Sequence, residues 1–342
     1  MVDFTLLVVT NNRAVTLRDT LAALPRQTYS GSWEVLVVDN NSTDGTTDIV
    51  AEAMDDYPVP LRYAFEPRPG KYWAMNTGIE AANGSWIACT DDDAFPDPDW
   101  LTQASAGFAE YGCDFVGGRV LPLFRGTPPD WIDLHHPIAG KVLALQDHGS
   151  EPREYGRGGM SWPLGVNVAY RRDAFARAGV FDGRLGRVAG TLRNQSQREW
   201  HLRARAAGLR GMYLPGMIVH HLVDQQRLTP RYFYRWFYWH GISRAILNRT
   251  TGVHLLDPEG GTMHAEPHVL GVPASLWRDA ACATFSASRR RLCGKRREAF
   301  EYELLVCFWA GVLRQRVRDR AHFLSRRNLD PGVVAKHVVP GV

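Results

Sequence analysis

The chain lacks any apolar stretch of the roughly 18 residues needed to cross a bilayer; residues 304–313, closed off by Glu303 and Arg314, fall far short. No signal peptide is expected from its opening residues either. Met1-Val2-Asp3 opens with no basic segment, and the apolar run behind it leads into Thr10-Asn11-Asn12 rather than a small-residue cleavage site, so a cytoplasmic protein is expected. Cysteine is scarce: Cys89, Cys113, Cys282, Cys293 and Cys307 are odd in number, scattered and without a Cys-x-x-Cys pair. That excludes a disulfide framework and a zinc knuckle and leaves buried or inert thiols. Glycine is missing from the turn after the first strand, which reads Thr10-Asn11-Asn12-Arg13, so the dinucleotide fingerprint of a nicotinamide dehydrogenase is absent. A P-loop and a Gly-x-Ser-x-Gly elbow are absent too, which disfavours nucleotide hydrolases and α/β-hydrolases. No zinc-finger, RNP or helix-turn-helix signature occurs, and no nucleic-acid partner is expected.

What is present is a chain of 342 residues, 45% hydrophobic, enough for a large packed core. The net charge of +4 hides a division: residues 1–115 hold 18 acidic and 6 basic side chains, and the remainder 18 and 34. An acidic half that binds a divalent metal beside a basic half that meets an anion is one reading; two independently solvated surfaces is the other.

The first 115 residues alternate β-rich runs (4–9, 33–38, 61–65 and 85–90) with helical patterns (14–24, 46–54 and 71–82), the signature of an α/β sheet built from βα units. Ligands of such sheets sit beyond the carboxyl ends of the strands, which directs attention to residues 10–13, 39–44, 66–71 and 91–93. Strands are expected at 115–123, 166–171 and 212–214, and helices at 196–207, over an aromatic segment from 232 to 239, and at 297–318. Residues 257–273, rich in Pro, Gly and His, read as a mobile linker.

Asp91-Asp92-Asp93 concentrates three carboxylates at the end of an apolar strand with no base nearby in sequence. A divalent cation would relieve the repulsion; a solvated acidic turn is the plainer alternative. An EF-hand fails on spacing, with Pro96 at the sixth position and Thr102 at the twelfth.

With these residues in place the sequence resembles the family 2 glycosyltransferases of GT-A fold. The resemblance covers roughly residues 3–250 and rests on Thr10-Asn11-Asn12-Arg13; Val37-Val38-Asp39-Asn40-Asn41-Ser42-Thr43-Asp44-Gly45-Thr46; Gly70-Lys71 with Ala74, Asn76 and Gly78; and Asp91-Asp92-Asp93 with Pro96 and Pro98-Asp99-Trp100-Leu101. Downstream follow Gly165-Val166-Asn167-Val168-Ala169, Gly179-Val180-Phe181-Asp182, and His221 before Arg227-Leu228-Thr229. The usual Pro-x-Tyr of the first strand is missing.

The resemblance implies a Rossmann-like, mainly parallel sheet flanked by helices. Residues 1–225 would form the transferase domain, divided at 115/116 into nucleotide-sugar and acceptor halves, and 226–342 a mainly helical extension. It implies transfer of a sugar from a UDP, GDP or dTDP donor to a hydroxyl acceptor: a natural product, a lipid-linked glycan or a polysaccharide. Donor contacts would come from Thr10, Asn12, Arg13, Asp39, Asn41, Gly70, Lys71, Asn76, Asp91 and Asp92, with Asp39 at the base and Asp91 at the ribose. Mg²⁺ or Mn²⁺ would be held by Asp93 with Asp91 and His221, bridging the phosphates. Lys71 would assist at the phosphates or be a solvated first-turn residue; His221 would be a ligand or a structural histidine. Since His220 and His221 are adjacent on a strand, only one can face the site. Trp162 and Asn167 would border the acceptor, with Trp131 or Trp162 stacking on a sugar or packing in the core.

The family's Glu-Asp before an Arg-rich helix, whose Asp acts as base, is replaced here by Ser196-Gln197. Glu199 and Asp182 are the nearest substitutes, though Ser196-Gln197-Arg198-Glu199 also reads as a capping box. An inverting enzyme with a relocated base, a retaining enzyme and a silent sugar-nucleotide binder are the three consequences. A sugar nucleotidyltransferase would need a Gly-rich, Arg-containing loop after the first strand, which is absent. Arg289-Arg290-Arg291 and Lys295-Arg296-Arg297 are either a peripheral contact at the inner membrane face or a solvated helix end.

Overall fold

The computed structural model describes residues 2–329 except 159, 189, 257–266 and 270–271. Strands β1 (Phe4–Thr10) and β2 (Trp33–Asp39) are buried at every residue. Parallel strands covered on both faces read as apolar runs, which is what residues 6–9 and 35–38 are. β3 (Leu61–Phe65) and β4 (Trp86–Asp91) complete a parallel set in the order β3-β2-β1-β4. Alternate residues sort to the two faces. Leu6, Val8, Val35 and Val37 pack with Leu17 of α1 (Ala14–Ala23) and Val50 of α2 (Thr46–Met54). Leu7, Val9, Leu36 and Val38 pack with Ala74, Met75 and Ile79 of α3 (Lys71–Ala81). Gly78 lets α3 ride directly on β1, because a Cβ there would come within 2.3 Å of Leu7 Cδ1.

Beyond β4 the sheet becomes mixed. It continues β8-β6-β9-β5, with a short β7 beside β9. In chain order these are β5 (Ala94–Pro96), α4 (Trp100–Tyr111), β6 (Phe115–Phe124), α5 (Pro137–Leu143), β7 (Arg153–Glu154), β8 (Val168–Arg171), α6 (Arg172–Ala178), α7 (Ser196–Ala206) and β9 (Gly211–Val223). The expected strand at 212–214 is therefore too short. Pro215-Gly216 does not end it: the register against β6 jumps from Gly118↔Leu214 to Arg119↔Ile218, so the strand bulges around a proline that has no N–H to pair and then resumes. The resumed half carries His220 and His221.

The chain divides into two compact units, Met1–Phe233 with Leu256–Gly261, and Tyr234–Leu255 with Thr262–Val342. α8 (Pro230–Thr251) begins in the first; α9 (Ala274–Leu292) and α10 (Arg296–Leu329) pack together in the second. The helix expected at 297–318 is thus longer at both ends. The expected linker at 257–273 lies largely outside the described residues, although β10 (His268–Val269) and β11 (Val272–Pro273) pair antiparallel. Cys89 and Cys113 are buried as expected, whereas Cys282 and Cys293 are exposed. Among the described residues no helix is long and apolar enough to cross a membrane.

Candidate active site

Parallel register sets the site. Thr10 lies opposite Asp39 and Val9 opposite Asp91, so the carboxyl ends of β1, β2 and β4 meet at one level. The loops behind β1 and β2 interlock: Asn12 accepts from Thr43 N at 2.7 Å, Ser42 Oγ accepts from Asn12 N at 2.9 Å, and Asn11 Nδ2 donates to Asn40 O at 2.7 Å. Asn12 (φ 53°) and Asn41 (φ 60°) both sit in the left-handed region, which asparagine tolerates better than other non-glycine residues. Asn40 extends the lattice to the third loop, where its Oδ1 accepts from Gly70 N at 2.7 Å. Asp39 is 1% exposed, with Oδ1 accepting from Ser42 N at 2.9 Å and Oδ2 from Tyr63 OH at 3.0 Å.

The three consecutive aspartates point three ways. Asp91 pairs with Lys71 at the start of α3; burial works against the ammonium, but Asp91 outweighs it and raises its pKa. Asp92 turns inward, where Thr10 Oγ1 donates to it at 2.7 Å; burial and the neighbouring Asp93 push its pKa up to about 7. Asp93 binds Arg13 and faces His221 Nε2 at 3.5 Å. Burial disfavours its charge, yet His221, Arg13 and Arg227 around it hold it well below the usual carboxylate range.

Both ring nitrogens of His221 have partners. Arg227 Nη1, which can only donate, lies 3.1 Å from Nε2, and the Leu143 carbonyl, which can only accept, lies 3.1 Å from Nδ1. Nδ1 therefore carries a proton that the Leu143 carbonyl accepts, and Nε2 stands between Arg227 and Asp93. Its neighbour His220 points the other way, to Asp97 at 3.0 Å, so strand alternation does leave one histidine at the site.

A model of the family described as "Glycosyl transferase family 2" matches residues 5–179, more than half of the chain. The chain belongs to glycosyltransferase family 2. Among its relatives, the Haloferax volcanii glycosyltransferase AglE is 38% identical over 110 residues, covering 32% of this chain and 36% of that protein. The glucosyl-dolichyl phosphate glucuronosyltransferase of the same organism is 23% identical over 244 residues, covering 67% and 72%. The match thus spans about a third of the first relative's length and nearly three quarters of the second's. A mannosyltransferase of Pyrobaculum calidifontis superimposes with a TM-score of 0.58 at 20% identity, over 96% of this chain and 87% of that one, which establishes the GT-A fold.

The residues gathered here fit a divalent cation in part. Asp93 and His221 Nε2 converge, buried, and the Leu143 carbonyl holds the other ring nitrogen, the kind of contact that orients a metal-bound histidine. Asp91, expected as a ligand, is turned to Lys71, and among the described residues no group of three acidic, His or Cys side chains is arranged to hold an ion. Two protein donors would leave the other positions to oxygens of a bound ligand, as hard cations accept.

Other expected site residues prove to brace the fold. Asn76 clamps Phe181 through two hydrogen bonds, Nδ2 to O at 2.8 Å and Oδ1 from N at 3.0 Å, and so fixes the loop that carries Asp182. Asn167 is fully buried and saturated, accepting from Trp100 Nε1 at 2.8 Å and donating to Arg119 O at 2.6 Å and Met217 O at 2.8 Å. It ties down the β9 bulge and presents nothing to an acceptor. Trp162 stacks on His201, rings 5.1 Å apart and 5° from parallel, and burial drives the pKa of His201 down to about 3. Trp131 meets Phe233 edge-on.

The expected capping box does not form. Gln195 is the N-cap of α7 and has no side-chain cap, Ser196 Oγ donates instead to Asp182 O at 3.0 Å, and Glu199 takes Arg203 in a two-point pair of 2.6 and 2.9 Å. One helical turn separates Glu199 from Arg203, and the same guanidinium also donates to Ala178 O and Val180 O, so the pair closes the end of α6. Asp182 is likewise held by Arg184, whose hydrogen bonds lower its pKa. Because Arg203 occupies both Glu199 oxygens, Glu199→Gln is expected to cost about 1 kcal/mol of stability, discounted for the guanidinium's exposure, and to leave turnover within a few-fold. Denaturant titration and initial rates on the one variant check this; a loss of about 10² or more in turnover at unchanged stability would make Glu199 the base after all.

Tyr63 and Arg227 were not singled out in the sequence for these contacts. Arg227 follows His221 in a recognisable motif, but nothing in that spacing shows that it faces the ring; Tyr63 carries no local signal at all.

Proposed function

We propose that this chain moves a sugar from a nucleoside diphosphate donor to a hydroxyl of a glycan or lipid-linked acceptor, with a divalent cation at Asp93 and His221. The observation that carries this is the buried Asp93–His221 pair beside Asp39 and Asp91 at the ends of three parallel strands. Support comes from the Pyrobaculum enzyme, described in complex with GDP-Man and Mn²⁺, and from the Haloferax enzyme named for a glucosyl-dolichyl phosphate.

In this reading Asp39 accepts from the nucleobase edge and Asp91 from the ribose, while Lys71 and Arg13 turn from their carboxylate partners toward the diphosphate. The cation supplies Lewis-acid neutralisation of the charge that develops as the nucleoside diphosphate leaves. Arg13 and Lys71 add preorganised positive charge at the same place. Transfer is inverting, with Asp182 as base: its loop is pinned by Asn76 and Ser196, and its partner Arg184 is an exposed side chain able to swing away. The arginine pairing of both Asp182 and Glu199 favours a second reading, a retaining transfer that needs no base there.

Thermal-shift screening of UDP-, GDP- and dTDP-sugars with Mn²⁺ or with EDTA tests the proposal. A cation-dependent rise in melting temperature with one nucleotide class is expected, by mass action on the folded state. The product's anomeric configuration by NMR then separates inversion from retention. No shift with any nucleotide sugar would overturn the donor assignment.

A further inference from the structure

The second compact unit carries a surface that the donor chemistry does not use. α9 buries Leu276, Ala283 and Ala287. On its other side Phe285 is 69% exposed and Leu292 89% exposed. These two lie seven residues apart, two helical turns along one stripe, with exposed Ala281 and Cys282 beside them. Arg278 and Arg289 flank the same stripe, and residues 293–297, the turn and the first residues of α10, are exposed throughout.

The charge around the stripe is one-sided. Residues 280–297 contain no acid, and 289–297 contain six bases. Half of these are engaged within the unit: Arg290 pairs with Glu298 and lies over the Tyr302 ring, Arg291 pairs with Glu303, and Lys295 with Glu298. The guanidinium groups of Arg289, Arg296 and Arg297 have no acidic partner among the described residues.

A single exposed leucine is ordinary, and so is a solvated basic helix end. The combination is not, because water rewards the arginines but not the large apolar side chains among them. The interface of an anionic bilayer rewards both. Phe285 and Leu292 can enter the boundary of headgroups and acyl chains, the free guanidinium groups meet lipid phosphate, and the long arginine stems allow both at one depth. A second copy docking through this face would set like charges against each other, and a nucleic acid would leave Leu292 in water. We propose that this face of α9 and the turn after it docks on an anionic lipid surface. The inference does not rest on sugar transfer, since it needs neither donor nor acceptor.

The test is co-sedimentation of the full chain with phosphatidylcholine vesicles, with or without about 30% phosphatidylglycerol, at low and at high salt. Partitioning at least about tenfold stronger on the anionic vesicles, and weakened by salt, is expected. Replacing Arg289, Arg296 and Arg297 together by glutamate should abolish that preference. Phe285→Ser with Leu292→Ser should weaken binding several-fold at fixed salt while the melting temperature holds, because both side chains are already exposed. Equal partitioning on the two vesicles, none on either, or undiminished binding after charge reversal would each overturn the proposal. So would a dimer that Leu292→Ser dissolves, or RNA binding, in a chain that ignores anionic vesicles.

Discussion

Asp93→Ala is expected to lower kcat/KM for sugar transfer by roughly 10²- to 10³-fold, the scale on which removing one electrostatic stabiliser of a developing anion is felt. The argument starts from where this carboxylate stands. It is the one member of the acidic cluster that faces the His221 ring, and it is held ionised by His221, Arg13 and Arg227 although buried. Its neighbours cannot replace it, since Asp91 is taken by the ribose in this reading and Asp92 is turned in to Thr10. Calorimetry gives a readout apart from turnover. Binding of UDP or GDP to the unaltered chain should weaken when Mn²⁺ is replaced by EDTA, and binding to Asp93→Ala should be insensitive to that exchange. Asp93→Asn, which keeps the shape and loses the charge, guards against a folding artefact and should behave like the alanine variant. Tight binding to the unaltered chain in EDTA would remove the cation from this site.

That Thr10, Asp39 and Asp91 gather at one end of the sheet could be read in the sequence because chain order alone determines it. Four apolar runs separated by helices give a sheet whose carboxyl ends gather the residues that follow each strand, so Thr10, Asp39 and Asp91 are placed without knowing any side-chain contact. The second half depends on events with no local signature. His221 reaches Asp93 only because β9 survives Pro215-Gly216, and the register jump that permits it is set by the facing strand β6. Asn167 looks as suited to binding a sugar as to bracing a bulge, and only the tertiary structure, with Trp100 on one side and Met217 on the other, decides for the brace. At Glu199 two local arrangements compete within a kcal/mol or so: a cap at the helix start and an ion pair one turn on. The pair prevails because Arg203 also closes the end of α6, a long-range gain that no window of sequence contains.

For Asp39→Ala the expected outcome is a donor KM raised roughly 10- to 100-fold with a much smaller change in kcat, since a charged acceptor lost from a hydrogen bond costs about 1.5–3 kcal/mol and the contact is equal in ground and transition states. The complication is that Asp39 also organises its own loop, accepting from Ser42 N and from Tyr63 OH. Tyr63→Phe separates the two roles. It deletes one of the internal bonds, leaves the carboxylate in place, and keeps the Asn12–Thr43 and Asn12–Ser42 links that hold the loop from the other side. If Asp39 reads the nucleobase, Tyr63→Phe should leave the donor KM nearly unchanged while Asp39→Ala raises it. Equal increases in both variants would mean that the loop's order, rather than a contact with the base, is what the carboxylate provides. A fall in kcat at constant KM would place Asp39 at the reacting end of the donor instead, which its position beside Tyr63 and Ser42, with Asn40 between it and the third loop, argues against.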